Sequence, residues 1–324
     1  MLDPVESLKL ADQPKKVLKS CHTGIWDNLL DLDKVEWKDL QYKNTGDTAL
    51  HVASRYGHAE VIKRLLIRFN SSAVDATNDD NKTALHEAAQ FGQLEAATIL
   101  IEHGANVNSL KKADWTPLML ACTKKPNLDL IKALSENGAA VNYANKDGWT
   151  CLHLLAREGS LNNLKYLHSR GLNLTLRTKN GRSGAHVSAL HNNQEVLQYL
   201  LKEDSSQVNA TDNCGNTPLH ESVLGGNYQV FKNILESDGE IGAKNSVGFN
   251  ALHLAASKGD LDFIRTILEL GVNVDSRSSE GYTALHCAAR KNLMAAYRVL
   301  LDMGAERATT DCHGRKAEEY FHSS

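Results

Sequence analysis

The chain contains no run near ~18 uninterrupted apolar residues, so it offers no segment suited to crossing a bilayer as a helix. Its opening stretch, MLDPVESLKLADQPKK, lacks the apolar core of a secretory signal. Neither sign of charge dominates. Thirty-six Lys and Arg against 39 Asp and Glu leave a formal charge of −3, with no overall footprint for nucleic acid or an acidic membrane. Cys21, Cys122, Cys151, Cys214, Cys287 and Cys312 are scattered, without a CxxC pair or metal-ligand spacing. Reduced thiols and a soluble, monomeric protein of the cytoplasm or nucleus are expected.

Catalytic signatures are missing too. There is no GxSxG, phosphate-binding loop or dinucleotide fingerprint. His86-Glu87 and His220-Glu221 begin like a zinc-protease motif, but continue as HEAAQ and HESVL without the second histidine. With no acid/base pair or nucleophile constellation, the sequence argues against an enzyme and implies no cofactor or metal.

What is present is a repeat. TALH (48–51), TALH (83–86), TPLM (116–119), TCLH (150–153), SGAH (183–186), TPLH (217–220), NALH (250–253) and TALH (283–286) recur at steps of 33 to 35 residues. Most are followed by a second apolar helical pattern, such as VIKRLLIRF or DFIRTILELG, often closed by a glycine suited to a helix end. Leu65, Leu66, Ile267 and Leu268 then read as core, and Cys151 and Cys287 as small buried hydrophobes.

These units resemble ankyrin repeats, each a β-turn followed by two antiparallel helices. The resemblance implies an all-α ankyrin-repeat solenoid with N- and C-terminal capping repeats: residues 1–42 as N-terminal segment and cap, 43–310 as eight repeats, 311–324 as a truncated C-terminal cap. It also implies that His51, His86, His153, His186, His220, His253 and His286 tie helix starts to neighbouring backbone. Metal binding by that row is excluded on distance. Repeats stack at about 10 Å, beyond the reach of one ion needing bonds of ~2 Å.

Recognition then falls to the exposed positions of such a stack. Each hairpin is numbered so that its turn glycine is position 4 and the following Thr position 6. Position 5 reads Asp47, Lys82, Trp115, Trp149, Arg182, Asn216, Phe249 and Tyr282, four aromatics of eight in a chain only 6% aromatic. Trp, Tyr and Arg favour interface hot spots, so Trp115, Trp149, Phe249, Tyr282 and Arg182 are candidate partner contacts; packing of each ring on the neighbouring hairpin is the competing reading. Position 2 places Lys112, Lys146 and Lys179 in consecutive repeats, and Lys124, Lys125 and Arg157 extend the basic region. An acidic partner surface would be drawn there; a solvated charged rim is the plain alternative.

The stretch LKKADWTPLMLACTKK (110–125) is more particular. With NKDGW (145–149) it resembles the ankyrin repeat domain-containing protein 16 family, cofactors of alanyl-tRNA synthetase. That resemblance implies binding to the synthetase's catalytic domain and capture of misactivated serine on lysine side chains, before it can mischarge tRNA-Ala. The acceptors carried over are Lys112 and Lys146, with Lys179 nominated nearby because this chain has Thr175 at the third place. Clustered charge among Lys111, Lys112, Lys124 and Lys125 would favour the free amine such capture needs. An adaptor with an unrelated protein partner remains the alternative. Direct nucleic-acid or membrane binding is not expected.

Overall fold

The computed structural model describes residues 13–27, 30–69, 71–124 and 127–321, and among them the architecture is helical with no extended sheet. A first helix, α1 (Gln13–Thr23), is followed by eight helix pairs. These are α2 (Ala49–Tyr56) and α3 (Ala59–Phe69), α4 (Ala84–Phe91) and α5 (Leu94–Glu102), α6 (Pro117–Ala121) and α7 (Leu128–Glu136), and α8 (Cys151–Glu158) and α9 (Leu161–Ser169). Then come α10 (Gly184–Leu190) and α11 (Gln194–Glu203), α12 (Pro218–Gly225) and α13 (Tyr228–Glu236), α14 (Ala251–Lys258) and α15 (Leu261–Glu269), and α16 (Ala284–Arg290) and α17 (Met294–Asp302). The chain divides into two compact units, Met1–Leu155 with Lys165–Leu172, and Ala156–Leu164 with Asn173–Ser324.

The tetrapeptide starts each first helix by a fixed set of bonds. The Thr48 N–H donates to His51 Nδ1 at 3.1 Å, and the Thr48 hydroxyl lies 2.8 Å from the same nitrogen. Because Nδ1 accepts, the proton sits on Nε2, which donates to the Lys82 carbonyl of the next hairpin at 2.7 Å. The same donation joins His86 to Trp115, His186 to Asn216, His220 to Phe249, His253 to Tyr282 and His286 to Arg315, at 2.9 to 3.2 Å. His51, His86, His186, His220, His253 and His286 are thus inter-repeat staples. Each of these ring nitrogens already has a partner of its own.

Leucines of the tetrapeptide fill the space between first helices. Leu50, Leu85, Leu118, Leu152, Leu219, Leu252 and Leu285 are all buried. Each removes a side chain's worth of apolar surface from water, worth about 2 kcal/mol. In the second unit Phe231 and Phe263 cross edge to face at 5.1 Å and extend that core under the second helices.

Within each unit, neighbouring hairpins are laced by backbone bonds. Lys112 N–H donates to the Asp80 carbonyl at 2.9 Å and Lys146 N–H to the Ala113 carbonyl at 3.2 Å. In the second unit Ser279 N–H reaches the Val247 carbonyl at 3.1 Å. A Cβ on Gly248 would stand 2.6 Å from the Ser279 nitrogen, so this turn needs glycine both for its φ of 79° and for room.

Candidate protein-binding site

The third hairpin breaks the pattern in its backbone as well as its sequence. At Asn78, Asn145, Asp212 and Asn245 the position-1 side chain turns back to the hairpin, as Asn145 Oδ1 does in accepting from Asp147 and Trp149 N–H at 2.9 Å. Position 1 here is Lys111, which has no such acceptor. The turn closes through Lys111 N–H to the Trp115 carbonyl at 3.0 Å, with Ala113 at φ 64° and Asp114 at φ 60°. Two successive non-glycine residues in the left-handed region are strained, at roughly 1–2 kcal/mol each. Strain of this kind holds the hairpin's side chains in a display their own preferences would not choose.

That display is a cation on a ring. Lys111 Nζ stands 5.6 Å from the centroid of the half-buried Trp115 indole. Burial, and next the charge of Lys82, hold the Lys111 ammonium below its ordinary pKa, while Asp80 and Glu87 oppose the shift. The lowering of Lys111 thus arises first from burial and only then from a like charge, that of Lys82. Lys112 points outward and pairs with Asp80 Oδ1 at 2.8 Å, an exposed ion pair. Its hydrogen bond holds the Asp80 carboxyl below the usual range.

Behind Lys111 runs an ion network that sequence reading missed. Arg55 donates Nε to Glu87 Oε2 at 2.9 Å and Nη2 to Asp47 Oδ2 at 2.6 Å. Lys82 donates to Glu87 Oε1 at 3.1 Å and to Gln90 Oε1 at 2.8 Å. Asp47 Oδ1 accepts from Asn78 at 2.6 Å. Both Glu87 oxygens are matched, so a carboxylate only 1% exposed is held by two cations. Its signal in the sequence was the charge directly after His86, on a helix whose neighbours are Ala and Leu.

Met119 takes the histidine's place and is fully buried. Thr116 Oγ1 still caps the helix by accepting from Met119 N–H at 3.2 Å, but a thioether has no proton to donate to the next hairpin. Helix α6 is accordingly short, five residues against eight in α4. Asn127 Nδ2 then caps it by donating to the Ala121 carbonyl at 2.9 Å.

The remaining nominated residues divide. In the first unit Lys146 and Lys124 are exposed, and Trp149 is half-buried with its ring edge-on to His153 at 5.9 Å; Lys125 lies outside the described residues. In the second unit Lys179 is exposed, while Arg157 and Arg182 are half-buried. Arg157 pairs with Glu158 at 2.9 Å, and Arg182 with Glu221 at 3.0 Å. Phe249 stacks on His253 at 5.1 Å with its plane tilted by 6°. Tyr282 departs from the expected exposure. At 6% exposed it is covered by Tyr320, whose hydroxyl also hydrogen-bonds Asp311, and by Arg290, 4.7 Å above its ring. The C-terminal segment supplies that cover, so this ring packs instead of presenting itself to a partner.

Cys21, Cys122, Cys151 and Cys287 are buried, and burial pushes the Cys21 and Cys287 thiols up to about 12, away from thiolate chemistry. Among the described residues no group of three His, Cys, Asp or Glu is placed to hold a metal ion, and no helix is long and apolar enough to cross a membrane.

Comparisons with known proteins agree with the geometry. A model described as ankyrin repeats (3 copies) matches residues 20–111, 106–178 and 223–311, and one described as ankyrin repeats (many copies) matches 185–232. The chain is similar to the nuclear factor NF-kappa-B p105 subunit of Gallus gallus, 29% identical over 55% of this chain and 19% of that protein. It is similar to human SH3 and multiple ankyrin repeat domains protein 2, 28% identical over 72% of this chain and 13% of that protein. Human inversin matches at 28% over 53% of this chain and 16% of its own length. The chain thus spans less than a fifth of each of these three relatives. Repeat-family matches cover most of its length, and with stapled helix pairs in both units, the chain belongs to the ankyrin-repeat family.

Proposed function

We propose that this protein is a non-catalytic adaptor that binds a protein partner through the hairpin face of its first unit, and that the partner is the catalytic domain of alanyl-tRNA synthetase. The observation that carries the reading is the third hairpin. It departs from the repeat in three ways at once, with Lys111 where most hairpins have Asn, Asp, Ser or Thr, Asp114 for the turn Gly and Met119 for the stapling histidine, and it displays Trp115 beside them. A stack gains nothing in stability from two left-handed non-glycine residues and a lost inter-repeat bond. Such losses are tolerated where a surface is put to use. The same residues carry the resemblance to the synthetase-cofactor family.

In this reading Lys112 and Lys146 accept serine from seryl-adenylate, with Lys179 as a third acceptor. The adenylate is a mixed anhydride: the neutral amine attacks its carbonyl carbon, AMP leaves, the amine gives up a proton, and an amide remains. The protein is consumed stoichiometrically and needs no cofactor. Residues 43–310 form the repeat array in this account, with 1–42 and 311–324 as its caps. Action in the cytoplasm, with access to the nucleus, follows from the partner. Co-purification of the chain with the isolated synthetase catalytic domain tests the binding step. Absence of complex at micromolar concentrations would leave an adaptor for a different protein.

A further inference from the structure

The second unit repeats the buried carboxylate of the first with one cation missing. Glu221 follows His220 as Glu87 follows His86, and its side chain is 0% exposed. Oε1 accepts from Arg182 Nη2 at 3.0 Å. Oε2 is buried and has no hydrogen-bond partner among the described residues. The cause lies one hairpin position away. Lys82, which matches the second oxygen of Glu87, is replaced at position 5 by Asn216, whose side-chain oxygen accepts from Asn245 Nδ2 at 3.0 Å instead.

Counting charges sharpens the contrast. In the first unit the carboxylates of Asp47 and Glu87 face Arg55 and Lys82, two against two. In the second, Asp212 and Glu221 face Arg182, two against one, with Arg182 Nε 3.8 Å from Asp212 Oδ2. A desolvated carboxylate oxygen left unmatched is costly, and the ordinary remedies are a proton or a cation. Burial already makes the Glu221 carboxyl harder to ionise than usual, with Asp212 adding to that and Arg182 opposing it.

We propose that the surface at half-buried Asn216, over Glu221, is a docking site for a lysine or arginine side chain of a protein partner, which supplies the cation that Lys82 supplies in the first unit. Lys82 Nζ reaches Glu87, itself only 1% exposed, from this same hairpin position, so position 5 is the approach to the buried carboxylate. The Phe249 hairpin is joined to His220, the residue before Glu221, at 3.2 Å, and an aromatic ring on that hairpin favours arginine over lysine. This inference stands on the second unit alone and is independent of the synthetase reading.

The test uses the full chain and fluorescein-labelled heptapeptides with a fixed central arginine and varied flanks, each paired with its citrulline counterpart. Anisotropy should find arginine peptides that bind at least tenfold tighter than their citrulline partners. Glu221→Gln should abolish that difference. Asn216→Lys, which places an ammonium in the chain itself, should abolish it too while raising the melting temperature, so loss of binding is separated from loss of fold. Arginine peptides that bind the parent, E221Q and N216K alike, or that do not bind the parent at all, would overturn the proposal. Sedimentation of the chain alone gives a further outcome: self-association that E221Q removes would assign the cation to a second copy and overturn the choice of partner.

Discussion

Lys112 and Asp80 join the tips of successive hairpins twice, by the Lys112 N–H on the Asp80 carbonyl at 2.9 Å and by Nζ on Oδ1 at 2.8 Å. The side-chain bond is exposed at both ends, so its removal should leave the melting temperature nearly unchanged. It does occupy the amine nominated as acceptor. Asp80→Asn is expected to speed serine capture at Lys112 in a mass-spectrometric time course. A slower reaction would mean that Asp80 helps position the lysine.

The stapling histidines predict sensitivity to acid. His86, His186 and His253 are pushed down from 6.5 to about 4, first by burial. A ring harder to protonate when folded gives stability that is complete above pH 6.5 and is lost as pH falls toward 4. At pH 5.5 each histidine should cost about 1.4 kcal/mol relative to neutral pH. Glu221, raised in the fold, works in the opposite direction as pH falls. Urea unfolding at pH 7.5 and 5.5 measures the difference; equal midpoints would contradict burial of these rings in the neutral form.

Relief of strain gives a smaller effect of known sign. Ala113→Gly removes a Cβ held at φ 64°. The gain of roughly 1–2 kcal/mol is offset by about 0.5–1 kcal/mol from the freer unfolded chain. A net stabilisation of about 1 kcal/mol or less is expected in chemical denaturation. Destabilisation would mean that the alanine methyl packs against something the hairpin requires.

Leu152→Asp tests the stacking itself. Leu152 is fully buried, so a carboxylate there would be taken out of water. The substitution should cost several kcal/mol and unfold the chain by circular dichroism at room temperature. Parent-like melting would refute the phasing of the repeats.

Trp115→Ala together with Trp149→Ala separates docking from packing. Both rings are half-buried, and truncating a hot-spot aromatic typically costs ~2 kcal/mol or more in binding. Synthetase affinity should fall by at least tenfold with little change in melting temperature. Unchanged affinity with a lower melting temperature would give both rings to the scaffold.

The period was legible because one residue type at one place has one job. A histidine three residues after Thr can accept at Nδ1 and donate at Nε2, so the tetrapeptide recurs wherever that staple is used. The ion network was not legible, since Arg55, Asp47, Glu87 and Lys82 are brought together by stacking across some 30 residues of chain. The burial of Tyr282 was hidden for a related reason. A position-5 ring is exposed or covered according to the segment packed over it, and Tyr320, almost 40 residues later in the chain, covers this one. In the sequence Lys111 reads only as part of a charge cluster, because a lysine at a hairpin start reads as solvated, and it is the left-handed turn that lays it against Trp115.

The most direct test of the central claim is site-resolved mass spectrometry of the chain after incubation with alanyl-tRNA synthetase, ATP and serine. The account predicts seryl groups concentrated on Lys112 and Lys146, less modification with alanine, and a rate that rises from pH 7 to 9 as free amine accumulates. In the Lys112→Arg, Lys146→Arg variant the positive charge remains without an accessible neutral amine, so binding should survive while serylation falls. Modification spread evenly over the surface lysines, and unchanged in the double variant, would contradict it.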